Sequence, residues 1–341
     1  MRTILVFARS GLLALCAVAV SLGLVRSARA TEFPLPENGA SLFGVNERIT
    51  TKYEDTLIEI ARRYSLGYEE LLRVNPGIDP WLPGAGTQVF IPGQRILPPG
   101  APEGIVVNLP EHRLYYFPKP GKDGVRRVLT FPVSNGKMDW RTPLAVTRIK
   151  SKTKNPTWFP PESVRKEHRE RGDPLPAAVP PGKDNPLGAH AMRLDIKHGA
   201  YLIHGTNNPD AVGLPVTHGC LRLYPEDIET LFEATPVGTV VRLVNEPLKL
   251  VSVGGQIWLE VHPPVDDQGQ MTDATLEDFE RRLDMLLGKN EVAMDWDTAI
   301  KALTERTGVP VMVGLELMPE QSPFVVAPPV ERVSVEDAPN G

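Results

Sequence analysis

Of the 341 residues, 35 are proline, and no other property narrows the fold as much. The proline ring locks φ and removes the amide donor, so it ends helices and is kept out of central strands. A chain punctuated at this density is expected to run through many extended connections and rigid linkers. The length is ample for two or three domains.

The first 30 residues set the compartment. Arg2 and Arg9 precede an apolar run from Leu12 to Val25, which closes on Ser27-Ala28-Arg29-Ala30. That is the pattern of an export signal cut after Ala30. The run is shorter than the roughly 20 apolar residues of a membrane span, and no later segment is apolar enough to serve as one. Cys16 leaves with the signal, because Leu15 stands where a lipoprotein signal carries a small residue. The mature chain is therefore expected to be soluble and exported. Losing Arg2, Arg9, Arg26 and Arg29 makes it more acidic than the net charge of -5 of the whole sequence, which argues against sequence-independent nucleic-acid binding.

With Cys16 gone, Cys220 is the only cysteine, so no intramolecular disulfide is possible. A solitary thiol in an oxidising compartment is exposed to oxidation and exchange. It is either a small buried core residue or a nucleophile with histidines elsewhere in the chain.

Residues 48–93 carry Leu57, Ile60, Ala61 and Tyr64 at helical spacing behind Asp55, read as an N-cap. A second short helix follows around Leu71 and Leu72, ended by Asn75-Pro76-Gly77, and then an alternating strand at Gln88 to Ile91. This strand–helix–helix–strand unit resembles a LysM domain in Asp55-Thr56-Leu57, Ile60-Ala61, Tyr64, Leu71-Leu72, Asn75-Pro76, Asp79-Pro80 and Ile91-Pro92. The usual glycine before Asp-Thr-Leu is Glu54 here. The resemblance implies binding to peptidoglycan or chitin glycan.

A Pro/Gly linker occupies 94–103. Beyond it, short β-branched and aromatic runs separated by turn residues predict a mostly antiparallel sheet. The strands are expected over 104–109, 113–117, 125–133, 145–150, 191–194, 200–203 and 240–243, with a turn at Asn135-Gly136. A proline-rich insertion, Asn155 to Leu187, reads as a functional lid or a disordered loop. Nine Lys/Arg lie between Arg141 and Arg171, read first as a solvated charged face. Residues 246–341 form a further α+β region with a strand over 256–261, helical patterns over 276–287 and 292–304, and a fraying tail from Pro319.

The chemistry concentrates in Tyr201-Leu202-Ile203-His204-Gly205-Thr206-Asn207 and Val216-Thr217-His218-Gly219-Cys220-Leu221-Arg222-Leu223. A thiolate is the competent nucleophile and needs a base or a positive field to form near neutral pH. Gly219 permits a sharp turn that presents the sulfur, and backbone N–H groups at Gly219 and Cys220 suit a developing oxyanion. Spacing alone does not decide whether His204 or His218 serves the thiol. His112, His168, His190, His198 and His262 read as structural. Downstream, Pro225 starts a helix with Glu226 and Asp227 at its positive end, and Ile228, Leu231 and Phe232 repeat at core-facing spacing.

His-Gly-Thr-Asn followed by Thr-His-Gly-Cys-x-Arg resembles the active-site signature of L,D-transpeptidases with a YkuD-type catalytic domain. The likeness runs over roughly 103–245 and includes Trp158-Phe159-Pro160-Pro161, Asn185-Pro186-Leu187-Gly188 and Pro225-Glu226-Asp227-Ile228. It is greatest to the Gram-negative branch that joins a LysM unit to this domain. The resemblance implies a mostly β, sandwich-like catalytic domain and no metal or organic cofactor. It makes Cys220 the nucleophile toward the carbonyl of a diaminopimelate in a peptidoglycan tetrapeptide stem, expelling D-Ala. His204 would be the general acid/base and His218 would line the site. Arg222 would hold a substrate carboxylate, with Gly219, Thr217 and Asn207 also on the substrate side. Some of the basic residues of 141–171 could then meet stem-peptide carboxylates. The acceptor stays open: a second diaminopimelate, giving 3-3 cross-links; a lysine of an envelope lipoprotein; or water, giving an L,D-carboxypeptidase. A non-catalytic wall-binding protein is the remaining alternative.

Overall fold

The computed structural model describes residues 31–35, 41–136, 141–197, 199–263, 276–288 and 290–317. The expected signal at 1–30, His198 and the tail from Pro319 lie outside the described residues.

Two short strands, β1 (Thr31–Pro34) and β2 (Leu42–Phe43), precede the first unit. That unit runs β3 (Glu47–Thr50), α1 (Leu57–Arg63), α2 (Tyr68–Arg73) and β4 (Gln88–Ile91), in the order the spacing predicts. Strands β3 and β4 pair antiparallel, and Leu57, Ile60, Ala61 and Leu71 pack against Val89 and Ile91. The N-cap of α1 is Thr56, whose hydroxyl accepts from the Glu59 N–H at 3.1 Å. Asp55, expected in that role, instead accepts from the Lys52 N–H and pairs with Arg63, both at 2.8 Å. Two adjacent cap-competent residues left the choice to the turn.

After β5 (Arg95–Ile96), which pairs with β2, comes the large unit. It contains β6 (Gly104–Asn108), β7 (Arg113–Phe117), β8 (Arg127–Pro132), β9 (Ala145–Lys154), α3 (Glu162–Glu170), β10 (His190–Leu194), β11 (Leu202–His204), β12 (Leu221–Arg222), α4 (Pro225–Ala234) and β13 (Val240–Val244). One nine-stranded sheet results, ordered β1-β8-β7-β6-β13-β9-β10-β11-β12. Ile105, Leu114 and Phe131 from one half share a core with Met192, Ile203 and Leu221 from the other, and Ile228, Leu231 and Phe232 of α4 pack with them. The sheet is therefore curled round its own core. Most pairings are antiparallel, but β6/β13 and β11/β12 are parallel.

The insertion 155–187 contains α3, a short helix that its prolines and charges concealed. Most of the basic stretch is engaged close to home: Arg165 and Arg169 pair with Glu162, Lys166 with Glu170, Arg171 with Glu167, Lys150 with Asp195 and Lys154 with Glu233. Asn135-Gly136 is not a free turn. The Asn135 carbonyl accepts from the Thr217 N–H at 3.1 Å, tying the end of β8 to the cysteine loop.

The last unit is β14 (Leu248–Val253), β15 (Gln256–Val261), α5 (Leu276–Leu287), β16 (Val292–Met294), α6 (Trp296–Glu305) and β17 (Val311–Glu316). Its sheet, β14-β15-β17-β16, buries Ile257, Leu259 and Val313 against Phe279, Leu283, Ala299 and Leu303. The helical pattern expected from Val292 is split. Residues 292–294 pair with β17, and Asp295 then caps α6 by accepting from the Thr298 N–H at 3.0 Å.

Buried charge joins the three units. Glu70 of α2 meets Arg95 of β5 and Arg113 of β7, each at 2.6 Å. Burial pushes its carboxyl up, but the two guanidinium groups outweigh that and hold it low. Lys249 of β14 contacts Glu111 at 3.0 Å, Glu260 of β15 at 2.6 Å and the Ile96 carbonyl at 2.5 Å. Glu260 also accepts from the Ile96 N–H and pairs with His262 at 2.6 Å. Glu111, Glu260 and His262 are grouped closely enough to ligate a metal, but the Lys249 ammonium already lies between the two carboxylates. Burial works against ionised Glu111, and Lys249, His262 and Arg95 reverse it, so its carboxyl sits below the ordinary range. A Lys249→Met substitution would strand two buried carboxylates. We expect a loss of about 3–5 kcal/mol in urea unfolding at neutral pH, shrinking in acid as the carboxyls protonate; an unchanged midpoint would contradict this network.

Candidate active site

The strands β9 to β12 alternate between core and cavity with period two. Met192, Ile203 and Leu221 face the core. The residues between them face outward in two cross-strand rows. Register places Thr153, Ala191, His204 and Arg222 abreast. One step away, Ser151, Arg193 and Leu202 lie abreast, and continuing the parallel β11/β12 register brings Cys220 into the same row. All eight line one cavity of about 800 Å³. Its far wall comes from the insertion, including Trp158, Phe159 and Val164 at the start of α3. A bridge between Trp158 and Val179 holds this wall in place.

The parallel pair β11/β12 is what brings His204 into the cavity of Cys220, one row over, though 16 positions separate them in sequence. Gly219, with φ +94, turns the chain immediately before the thiol. A Cβ there would lie 3.0 Å from the Arg141 carbonyl and from the Tyr201 ring, so glycine is required by conformation and by space. The Thr217 hydroxyl donates to the Cys220 carbonyl at 2.6 Å, and the Thr142 hydroxyl to the Gly219 carbonyl at 3.1 Å. The loop that presents the sulfur is thus braced from both sides.

The Cys220 thiol donates to the Ala200 carbonyl at 3.6 Å. Burial pushes its pKa up, while a backbone hydrogen bond from Leu202 and the Arg222 charge pull the other way and lose. His204 is buried, and its Nδ1 lies 2.6 Å from the Gly205 carbonyl. A carbonyl only accepts, so Nδ1 carries the proton and Nε2 keeps its lone pair. Burial, with Arg222 adding to it, lowers the imidazole to about 3, so the ring is neutral near pH 7. A resting thiol and a neutral imidazole with a free Nε2 thus line one cavity from adjacent rows, the pair of groups that general-base activation of a thiol uses.

His218 lies on the insertion side of the same cavity. Its Nε2 donates to Glu167 of α3 at 2.8 Å, which links the cysteine loop to the far wall. Arg222 lines the cavity with its Nε buried and unpaired, and no ion pair of its guanidinium is found among the described residues. Of the residues expected at the site, Cys220, His204, His218, Arg222 and Thr217 line the cavity, and Gly219 shapes the loop. Asn207 is outside the lining; its amide donates to the Lys183 carbonyl at 3.3 Å.

Two residues escaped the sequence reading. Arg193 could have been found from the alternation of His190-Ala191-Met192-Arg193-Leu194, which puts it opposite the core-facing Met192. Glu167 carries no sequence signal, because its role depends on where α3 docks. Among the other described histidines, His168 pairs with Asp173, His190 packs on Phe232, His262 pairs with Glu260, and His112 is buried with its pKa lowered to about 4, chiefly by that burial. The Arg222 field predicts one measurable effect. Arg222→Gln should move the alkylation of Cys220 by iodoacetamide to higher pH, since it removes the positive charge that favours the thiolate; an unshifted pH–rate profile would refute that coupling.

Residues 102–243 match the L,D-transpeptidase catalytic domain family (YkuD), and residues 49–92 match the LysM domain. The chain is 39% identical to "Probable L,D-transpeptidase YcfS" of Escherichia coli over 303 residues, covering 86% of this chain and 92% of that protein. It is 38% identical to "Probable L,D-transpeptidase YbiS" of the same species, covering 85% and 94%. Among solved structures, L,D-transpeptidase 3 from Mycobacterium tuberculosis aligns at 19% identity with a TM-score of 0.30, over 47% of this chain and 75% of that one. With a curled, mostly β domain whose cavity is lined by Cys220 and His204, and relatives matched along nearly their whole length, the chain belongs to the L,D-transpeptidases, cysteine-dependent acyltransferases, and carries a LysM domain.

Proposed function

We propose that this enzyme acylates Cys220 with the tetrapeptide stem of peptidoglycan and passes the acyl group to a primary amine. The observation that carries the reading is the tautomer of His204, whose free Nε2 shares a cavity with the thiol. His204 takes the thiol proton as sulfur attacks the diaminopimelate carbonyl. Backbone N–H groups at Gly219 and Cys220 meet the developing oxyanion. The C–N bond to D-Ala then breaks, and the imidazolium returns its proton to the leaving amine. A burial-lowered imidazole is a strong acid once charged, which suits that second role. In the second half-reaction an acceptor amine attacks the thioester and Cys220 leaves as the thiol. Arg222, for which no ion pair is found among the described residues and whose charge acts on the Cys220 thiol, holds a carboxylate of the donor.

The acceptor is either a second diaminopimelate, which yields a 3-3 cross-link, or a lysine of an envelope lipoprotein; hydrolysis is the side reaction. The leader pattern at residues 1–30 supports action in the periplasm. No helix among the described residues is long and apolar enough to cross a membrane. Glycan contact falls to the LysM unit. Tyr53 and Trp81 are 89% and 61% exposed on neighbouring loops, which the Leu57 N–H joins by donating to the Pro80 carbonyl at 2.9 Å. Aromatic faces held out to solvent in this way suit the apolar faces of sugars.

Incubation with tetrapeptide muropeptides, followed by intact mass, tests the chemistry. Wild type should carry a thioester and release D-Ala, Cys220→Ala should do neither, and His204→Gln should acylate about 10²–10⁴-fold more slowly. A fully active Cys220→Ala would overturn the reading, and product masses identify the acceptor. Separately, Trp81→Ala should weaken sedimentation with purified sacculi while leaving acylation by soluble muropeptides in place; undiminished sedimentation would remove Trp81 from the glycan contact.

A further inference from the structure

The cavity has a charge pattern that Arg222 alone does not account for. Its lining includes two guanidinium groups, Arg193 and Arg222, and no aspartate or glutamate among the described residues. This occurs in a chain with a net charge of -5. Arg193 stands on β10 in the row that register extends to Cys220, with its side chain exposed to the cavity. No ion pair of Arg193 is found among the described residues. The acidic group that feels its charge, Asp195, is itself paired with Lys150 at 2.8 Å. The other basic residues of β9 and α3 are largely occupied by carboxylates or carbonyls, so Arg193 differs from them in both partner and direction.

Two strand spacings separate β10 from β12, about 10 Å between Cα atoms. Arginine reaches more than half of that distance, and its planar fork matches a carboxylate in bidentate geometry. A group held there lies a few bonds from the carbonyl that Cys220 attacks. We propose that Arg193 is a second carboxylate-binding residue of the cavity, which grips the side-chain carboxylate of the attacked diaminopimelate and makes the enzyme select donors in which that group is free. The inference rests on the thioacyl reading above. In it, Arg222 serves the carboxylate nearest the sulfur and Arg193 the one carried away from the scissile bond. Selectivity of this kind follows because a neutral amide cannot make the charge-assisted bidentate pair that a free carboxylate makes with the guanidinium.

The test compares two tetrapeptide donors, identical except that the diaminopimelate side-chain carboxylate is free in one and amidated in the other. Formation of the Cys220 thioester is followed by mass for wild type, Arg193→Gln and Arg193→Lys. Wild type should favour the free acid by about ten- to a hundredfold in kcat/KM, the range of a charge-assisted pair. In Arg193→Gln that ratio should fall toward one, with Arg193→Lys in between. A Gln variant that slows both donors equally, keeping the wild-type ratio, would make Arg193 structural and overturn the proposal. Equal rates for the two donors in wild type would also overturn it, whether or not any variant folds. Absence of thioester from either donor in wild type would overturn the thioacyl reading and this inference together, so the two failures are distinct.

Discussion

Lys249 is the point on which the assembly turns. Its ammonium is buried with two carboxylates, Glu111 of the catalytic unit and Glu260 of the C-terminal unit, and with the Ile96 carbonyl of the strand that leads out of the LysM unit. Each charge would be costly alone in that setting, and the attraction among them repays the cost only while all stay in place. The neighbouring Glu70, held between Arg95 and Arg113, does the same between the LysM helix and the catalytic sheet. At the other side of that contact, Arg62 grips Glu226 with two bonds of 2.8 Å, and Tyr224 donates to the Leu66 carbonyl. The units are therefore packed through directional charged contacts, which specify one relative orientation where apolar faces alone would tolerate several.

That orientation bears on the function proposed above. The LysM unit meets the end of β12 and the start of α4, the stretch that immediately follows Cys220 and Arg222. Under the function proposed above, a glycan strand held by the LysM unit would be presented by a body fixed to the catalytic sheet, and its stems delivered with restricted geometry. The active site itself is built on the sheet, with one row of side chains bearing the thiol and the next bearing the imidazole. Only the far wall and the Glu167 contact to His218 come from the insertion. Rigid strands thus hold the reacting groups, while the less regular segment closes over them.

The linear pattern carried much of this. Short apolar runs between turn residues were enough for β7 and β15 to their exact ends, and for α5, because period and punctuation are local properties. Period alone could not separate the end of β16 from the start of α6, since apolar residues satisfied both templates until pairing with β17 chose the strand. The helix α3 was hidden because eight prolines and a run of paired charges dominate the insertion 155–187. The parallel pairings of β11 with β12 and of β6 with β13 were likewise invisible, as they join segments that no local turn connects.

For the site, the sequence determined the kinds of groups and their loop: a single thiol after a glycine, with histidines upstream and an arginine two residues on. It could not rank His204 against His218 from spacing. Tertiary structure adds the ground for that choice, because the carbonyl beside His204 fixes its tautomer, while Glu167, from a distant helix, engages His218. It likewise decided that Arg193 faces the thiol's cavity and that Asn207 does not. Chemical identity is a local property of the chain, whereas protonation, tautomer and proximity depend on which strands lie side by side.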